Sequence, residues 1–281
     1  MINFVVRLAK RFAVLIPGLI IAYISVRNIY PLLDKRVPAA LAIFITYLLG
    51  AYLLIPALIR IIRVVFPARH LQSYCVTPDG FASDPVNIGI VGTRAELIAA
   101  MEAAGWYVAD KHSPGNVLHE VTSALLNRPY RTAPMSSLYL FGRRQDIGFE
   151  IPIEGSRGHR HHVRFWATSY RPGAKLNFGT IDWHRQRVRR PGKTTLWVGA
   201  ASRDVGFALI RHNVQITHMI HPDTNAERQL IIDGLRAVKL VASTKSVRLA
   251  KPYRLVNRAW RGHLQSDGYL KVVKLKNAQA G

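Results

Sequence analysis

Cysteine is almost missing from this chain: Cys75 is the only one in 281 residues. A single thiol excludes an intramolecular disulfide and any zinc site built on paired cysteines, and it suits a reducing compartment. Acidic residues are also scarce, 16 Asp and Glu against 39 Lys and Arg, which leaves a formal net charge of +23. So basic a chain is drawn to polyanionic surfaces, either an anionic leaflet or nucleic acid. The familiar catalytic signatures are missing too. There is no Walker or dinucleotide glycine loop, no H-E-x-x-H and no G-x-S-x-G, so the common nucleotide-binding, zinc-protease and α/β-hydrolase readings have no support. Apolar residues are not lacking. At 49% hydrophobic and 20% charged, the chain can bury one sizeable core with something smaller attached.

The positive charge is concentrated at the two ends. Residues 1–69 hold nine basic side chains and one acid, 70–242 hold 21 and 14, and 243–281 hold nine and one. Within the first block, Val37 to Ile59 is a 23-residue run without a charge, flanked by Lys35-Arg36 and by Arg60 and Arg63. Roughly 20 apolar residues suffice to cross the hydrocarbon core. The earlier run, Phe12 to Val26, has 15 residues and no A-x-A-like cleavage site after it, so it reads as a second crossing rather than a removed signal. The expectation is an anchor over 1–66 with two transmembrane helices near 12–30 and 37–59, then a linker over 67–83. Each flank and the connecting loop carry three positive charges, which nearly flattens the positive-inside bias. Cys75 and the basic C-terminus agree with an anchor whose globular part faces the cytoplasm.

From about residue 84 the pattern changes to short strands and amphipathic helices. Val86–Gly92 reads as a strand, and Thr93 with Glu96 forms a capping box for a helix that Gly105 ends. Ser113-Pro114 opens a second helix, and Thr224 with Glu227 opens a third. Between Ser136 and Ile220 lie about six strand-like runs separated by polar turns, one of them Arg143-Arg144-Gln145-Asp146. The fold class expected is α+β over 84–242, an antiparallel sheet of about six strands with about three helices. Residues 243–281 read as a basic tail, although YLKVVKLK within it alternates like a strand. Trp106, Trp166 and Trp197 are expected in the core.

The segment RGHRHHVRFWATSY, 157–170, carries the densest nitrogen chemistry. In a strand it splits into His162, Arg164, Trp166 and Thr168 on one face and His161, Val163, Phe165 and Ala167 on the other. Four readings follow. Arg143, Arg144, His162, Arg164 and Arg228 are suited to contact with phosphate or carboxylate, Arg228 near a helix amino end. A hydrolase would use His162 or His218 as general base with Asp146 or Asp223 as orienting partner, though no nucleophile stands out. A metal site on His161 or His162, His218, His221 and Asp223 is opposed by the nearby arginines, so no metal and no cofactor are expected. In the fourth reading, Arg143, Arg164 and Arg228 pair with Asp146, Asp204, Glu227 and Glu150 and simply pin strands together.

Five blocks in order, DPVNIGIVGTRAELIAAMEAAGWYVAD (84–110), NRPYRTAPMSSLYLFGRRQDIGFEIP (127–152), RHHVRFW (160–166), LWVGAASRDVGF (196–207) and THMIHPDTNAERQLI (217–231), resemble the LssY C-terminal domain family. The resemblance implies a bacterial envelope protein joined to membrane segments and lipid-related work, and it carries no reaction with it. His221 stands where the family pattern has an acid. The functional expectation is therefore a membrane-anchored domain of this type that binds an anionic small molecule or the headgroups of an anionic leaflet. A hydrolase acting on phosphoesters or esters is the alternative. Nucleic-acid binding through HRQRVRRPGK (184–193) and the C-terminus ranks lower, because a membrane tether restricts access.

Overall fold

The computed structural model describes residues 19–20, 23–54, 57–58, 73–78, 82–110, 113, 115–116, 119, 122, 130, 132–153, 159–170, 193–209, 216–257 and 262–276. The chain divides into two compact units, Met1–Ala68 with Pro78–Phe81 and Ile210–Gln215, and Arg69–Thr77 with Ala82–Leu209 and Ile216–Gly281.

The first unit holds a π-helix Ser25–Ile29, α1 (Tyr30–Asp34), α2 (Ala39–Leu48) and a second π-helix Leu49–Leu54. Pro38 precedes α2, where a missing amide costs the helix nothing. Thr46 Oγ1 donates to the Ala42 carbonyl at 2.7 Å, so this hydroxyl needs no water. Among the described residues no helix is long and apolar enough to cross a membrane. Of the expected 37–59 span, 37–54 and 57–58 are described, chiefly as α2 and the π-helix that continues it; of the 12–30 span, 19–20 and 23–30 are described, while 12–18 and 21–22 lie outside the described residues. Among the described residues, every exposed large hydrophobic side chain apart from Tyr107 and Leu230 falls in this unit, Leu19, Tyr23, Val26, Ile43, Phe44 and Leu53 among them.

The second unit is α+β. Its strands are β1 (Tyr74–Val76), β2 (Ala82–Pro85), β3 (Ile88–Gly92), β4 (Tyr107–Val108), β5 (Tyr139–Leu140), β6 (Arg143–Arg144), β7 (Ile147–Pro152), β8 (His159–Ala167), β9 (Thr195–Leu209), β10 (Ile216–Ile220), β11 (Val241–Arg248), β12 (Tyr253–Asn257), β13 (Gly262–Ser266) and β14 (Tyr269–Leu275). Its helices are α3 (Arg94–Ala103) and α4 (Thr224–Ala237). Eight strands form the main sheet, in the order β11-β14-β3-β9-β8-β7-β4 with β10 added to β9, while β2-β1-β5-β6 and β12-β13 make two smaller sheets. The strand count exceeds the six expected, and the main sheet is mixed because β14 runs parallel to β3.

Three local differences from expectation have physical reasons. The segment read as a basic tail supplies β11 and β14 to the main sheet: Leu270, Val273 and Leu275 are buried there, which overrides its high charge. The turn expected at 143–146 lies earlier, at Phe141-Gly142, where both residues have positive φ as a two-residue hairpin demands, so Arg143 and Arg144 are strand residues. Asp223, not Thr224, caps α4, its carboxylate accepting from the Asn225 and Ala226 amides, while the Thr224 hydroxyl donates to the Gln265 carbonyl. The Thr93–Glu96 capping box forms as read, and Gly105 follows α3 with φ +84°. Of the helix expected after Ser113, most lies outside the described residues; the Asn116 amide donates to Ser113 Oγ at 3.1 Å.

Both faces of the main sheet are covered. On one, Ile88, Ile90, Phe149, Val163, Phe165 and Trp197 pack against α3 and α4 through Leu97, Met101, Ile231 and Leu235. On the other, Trp166, Leu196, Val198, Ala200 and Leu270 pack against Cys75, Leu138 and Leu140 from the small sheet. All three tryptophans are buried, as expected.

Candidate functional site

Because β8 is covered on both faces from His162 onward, His162 and Arg164 are buried along with its apolar residues, while His159, Arg160 and His161 are half-buried. The face bearing Trp166 also carries Arg160, His162 and Arg164, and strand register places their neighbours. Glu150 of β7 and Ser202 of β9 lie opposite His162, Asp204 lies opposite Arg160, and Gly148 and Ala200 lie opposite Arg164. Gly148 leaves room there for Met135, whose Sδ would lie 2.6 Å from a Cβ at that position. From β2 on the small sheet Asp84 reaches into the same layer. His161, on the opposite face, meets Glu227 of α4 at 2.7 Å.

The resulting layer is ionic and closed. Asp84, Glu150, His162, Arg164, Ser202 and Asp204 are each 5% exposed or less. Arg164 Nη1 donates to Asp84 Oδ2 at 2.9 Å. Arg160 bridges two strands, its Nη1 2.7 Å from Glu150 Oε2 and its Nε 3.0 Å from Asp204 Oδ2. His162 lies between two carboxylates. Its Nε2 is 2.8 Å from Ser202 Oγ and 3.5 Å from Asp84 Oδ2, and its Nδ1 is 3.4 Å from Asp204 Oδ1. The other oxygen of Asp204 is 3.4 Å from His218 Nδ1. Beside this layer Asn87, also buried, ties strand to helix by donating to the Ala201 and Thr224 carbonyls.

Proton affinities follow from that arrangement. Burial alone would raise Asp84, but the hydrogen bond from His162 and the charge of Arg164 outweigh it and hold the carboxyl at about 2. Asp204 is likewise lowered, the cations around it overcoming burial. At Glu150 burial wins over Arg160 and lifts the carboxyl to about 7. Burial pushes His218 down to about 4, against the pull of Asp204. Three carboxylates face two guanidinium groups in this layer, and a proton held at Glu150 is the balance that burial favours.

The predicted site residues separate into several places. His162 and Arg164 belong to the ionic layer and His218 touches it through Asp204. Arg143 lies at a hairpin, 2.5 Å from Asp146 and bonded to the Ala167 carbonyl. Arg144 is exposed on β6. Asp223 is a helix cap, and Arg228 forms a two-point bond with Asp267 at 3.0 and 2.8 Å. Arg164 and Arg228 therefore pair with Asp84 and Asp267 rather than with the acids named from sequence. Asp84, Arg160 and Ser202 are missing from the candidates that composition suggests. The parity of Ser202 and Asp204 in GAASRD, matched to the parity of RHHVR, could have indicated two of the layer's members; Asp84 comes from another sheet and leaves no local signal. Among the described residues no group of three or more His, Cys, Asp or Glu is disposed to hold a metal ion.

What fold and site define together is a layered α+β domain whose central strand carries buried, mutually neutralised arginines and histidines. The chain belongs to the LssY C-terminal family: the family model described as LssY C-terminus matches residues 68–270. No curated protein and no solved structure matches the chain.

Proposed function

We propose that this is a membrane-held domain that recognises an anionic ligand or lipid headgroup at the surface of the bacterial inner membrane, on the cytoplasmic side. The observation that supports it is how acids are used. Asp84, Glu150, Asp204, Asp146 and Asp267 are each engaged by an arginine inside the fold, so the excess of +23 resides in cations outside these pairs. Such cations near an anionic leaflet contribute about 1 kcal/mol each. The apolar side chains exposed on the first unit call for a cover of lipid or protein, since soluble chains rarely leave such a surface open. Arg144, exposed on β6, and Lys and Arg of the C-terminal strands are the residues offered to the ligand; Arg143, Arg164 and Arg228 support the fold that presents them. The test is partition of the full chain between neutral and anionic vesicles as salt is raised. Preference for anionic vesicles that fades with salt is expected, and a salt-independent preference sinks the electrostatic reading.

A second reading, a hydrolase acting on phosphoesters or esters, has one specific observation behind it. Asp204 lies 3.4 Å from the Nδ1 atoms of His162 and of His218 through different oxygens, so a carboxylate stands beside each imidazole that general base work would use. A screen of phosphoester and ester substrates with wild type, His218→Ala and Asp204→Asn decides: turnover lost in both variants supports it, and turnover equal in all three removes it.

A further inference from the structure

We propose that the domain meets an anionic lipid leaflet edge-on, through β11 and β14. The inference rests on the membrane-surface reading and names its contact. β11 is the last strand of the main sheet, and its register with β14 fixes where the cations stand. Lys245 pairs with Val272 and Ser243 with Lys274, so Lys245 and Lys274 are diagonal neighbours on one face. Arg248 pairs with Tyr269 and Ser246 with Lys271, so Arg248 and Lys271 are diagonal neighbours on the other. On that second face the Arg248 guanidinium and the Lys271 ammonium lie 5.0 and 5.9 Å from the centre of the Tyr269 ring, and Lys271 Nζ donates to Ser246 Oγ at 2.6 Å. Lys276 follows β14 directly.

Neither strand contains an acid. The one acid of residues 243–281, Asp267, is held by Arg228. Among the described residues Lys245, Arg248, Lys274 and Lys276 have no ion-pair partner, and all four are exposed. Diagonal like charges with no acid between them repel, and an external anion relieves that repulsion. A pocket for one small anion gathers its cations on one face. Here they flank both faces of one sheet edge, which suits an extended negative plane met by the edge. Tyr269, half-buried among them, has the ring and hydroxyl that favour headgroup depth. Lysines on an edge strand also deter pairing with another chain, but that role needs no lipid, and the difference can be measured.

The full chain is incubated with vesicles of phosphatidylcholine, and with vesicles of phosphatidylcholine and phosphatidylglycerol in equal amounts, and its lysines are acetylated with a water-soluble reagent and read by mass spectrometry. Lys245, Lys271 and Lys274 should label roughly fivefold more slowly on the anionic vesicles, and the difference should close as salt rises. The double variant Lys245→Glu/Arg248→Glu should lose the protection at Lys274. Equal labelling of these three lysines on both vesicles overturns the proposal. If Lys239 or Lys251 is protected instead, the membrane-surface reading stands and the edge does not; if no lysine is protected, both fall. Equal protection by inorganic phosphate on phosphatidylcholine vesicles assigns the patch to a soluble anion and overturns the lipid contact.

Discussion

Arg164 of the main sheet and Asp84 of the small sheet are joined across the core, Nη1 to Oδ2 at 2.9 Å, with side chains 6% and 1% exposed. Buried at both ends, this pair is a weak source of net stability but a costly one to break, because the survivor is left as a lone charge away from water.

Asp84→Ala should therefore destabilise the second unit by about 3–5 kcal/mol, and the double variant Asp84→Ala/Arg164→Met should recover much of that loss. Denaturant unfolding of wild type, Asp84→Ala, Arg164→Met and the double variant closes the cycle. A double variant as unstable as Asp84→Ala would mean that Arg164 is not what the carboxylate neutralises.

Two carboxyl groups of the ionic layer titrate in opposite directions, which gives stability two separate pH windows. Asp84 is depressed, from 3.8 to about 2; its contribution is present above pH 3.8 and is lost as pH falls through about 2. Glu150 is raised, from 4.5 to about 7. The folded state then holds a proton that the unfolded chain releases, so its contribution is full below about 4.5 and is lost as pH rises to about 7, by on the order of 3 kcal/mol at most. Glu150→Gln should flatten the unfolding free energy between pH 4.5 and about 7 and leave the acid limb in place. A wild-type curve already flat in that window contradicts the assignment to Glu150.

Arg228→Lys should not behave as a conservative change. The guanidinium makes two parallel bonds to Asp267 and a third to the Tyr269 carbonyl at 3.0 Å, a geometry one ammonium cannot reproduce. A loss of roughly 1–3 kcal/mol is expected, accompanied by faster amide exchange at the start of β14, to which Tyr269 belongs. Exchange unchanged there would show that the fork does not hold that strand.

Gly199 faces Phe165 across β8 and β9, and a Cβ on it would lie 2.6 Å from the Phe165 ring and 2.9 Å from Ile88. Gly199→Ala should cost about 1–3 kcal/mol through overpacking. Phe165→Leu, harmful by itself, should be less harmful in the Gly199→Ala background, and equal effects in both backgrounds would deny the contact.

How much of this could be read from the residues differs from element to element. The Thr93–Glu96 box and the two-faced alternation of β8 were legible because each depends on side chains a few positions apart. The β14–β3 pairing was not, since Lys271 meets Ile88 across most of the domain and nothing local marks the register. The same holds for Asp84: it lies 80 positions from Arg164, and only the packing of one sheet on another brings it near. The buried side of β8 misleads for a further reason. His162 and Arg164 look like surface chemistry from their composition, yet the opposing carboxylates that allow their burial, Asp84 and Asp204, come from two other strands.

Asp146, a candidate catalytic acid from the sequence, has both oxygens engaged. Oδ1 meets Arg143 at 2.5 Å and Oδ2 accepts from the Ala167 amide at 2.6 Å. A carboxylate held this way ties the connection between β6 and β7 to the end of β8, where the Asp146 amide also donates to the Phe165 carbonyl at 2.9 Å. Asp146→Asn removes the charge under Arg143 and places an amide donor where one acceptor is required, so a loss of roughly 1–2 kcal/mol is expected. Anion binding and any hydrolysis by the folded fraction should stay at the wild-type level. A variant of wild-type stability that had lost either would return Asp146 to the functional group and take the structural role from it.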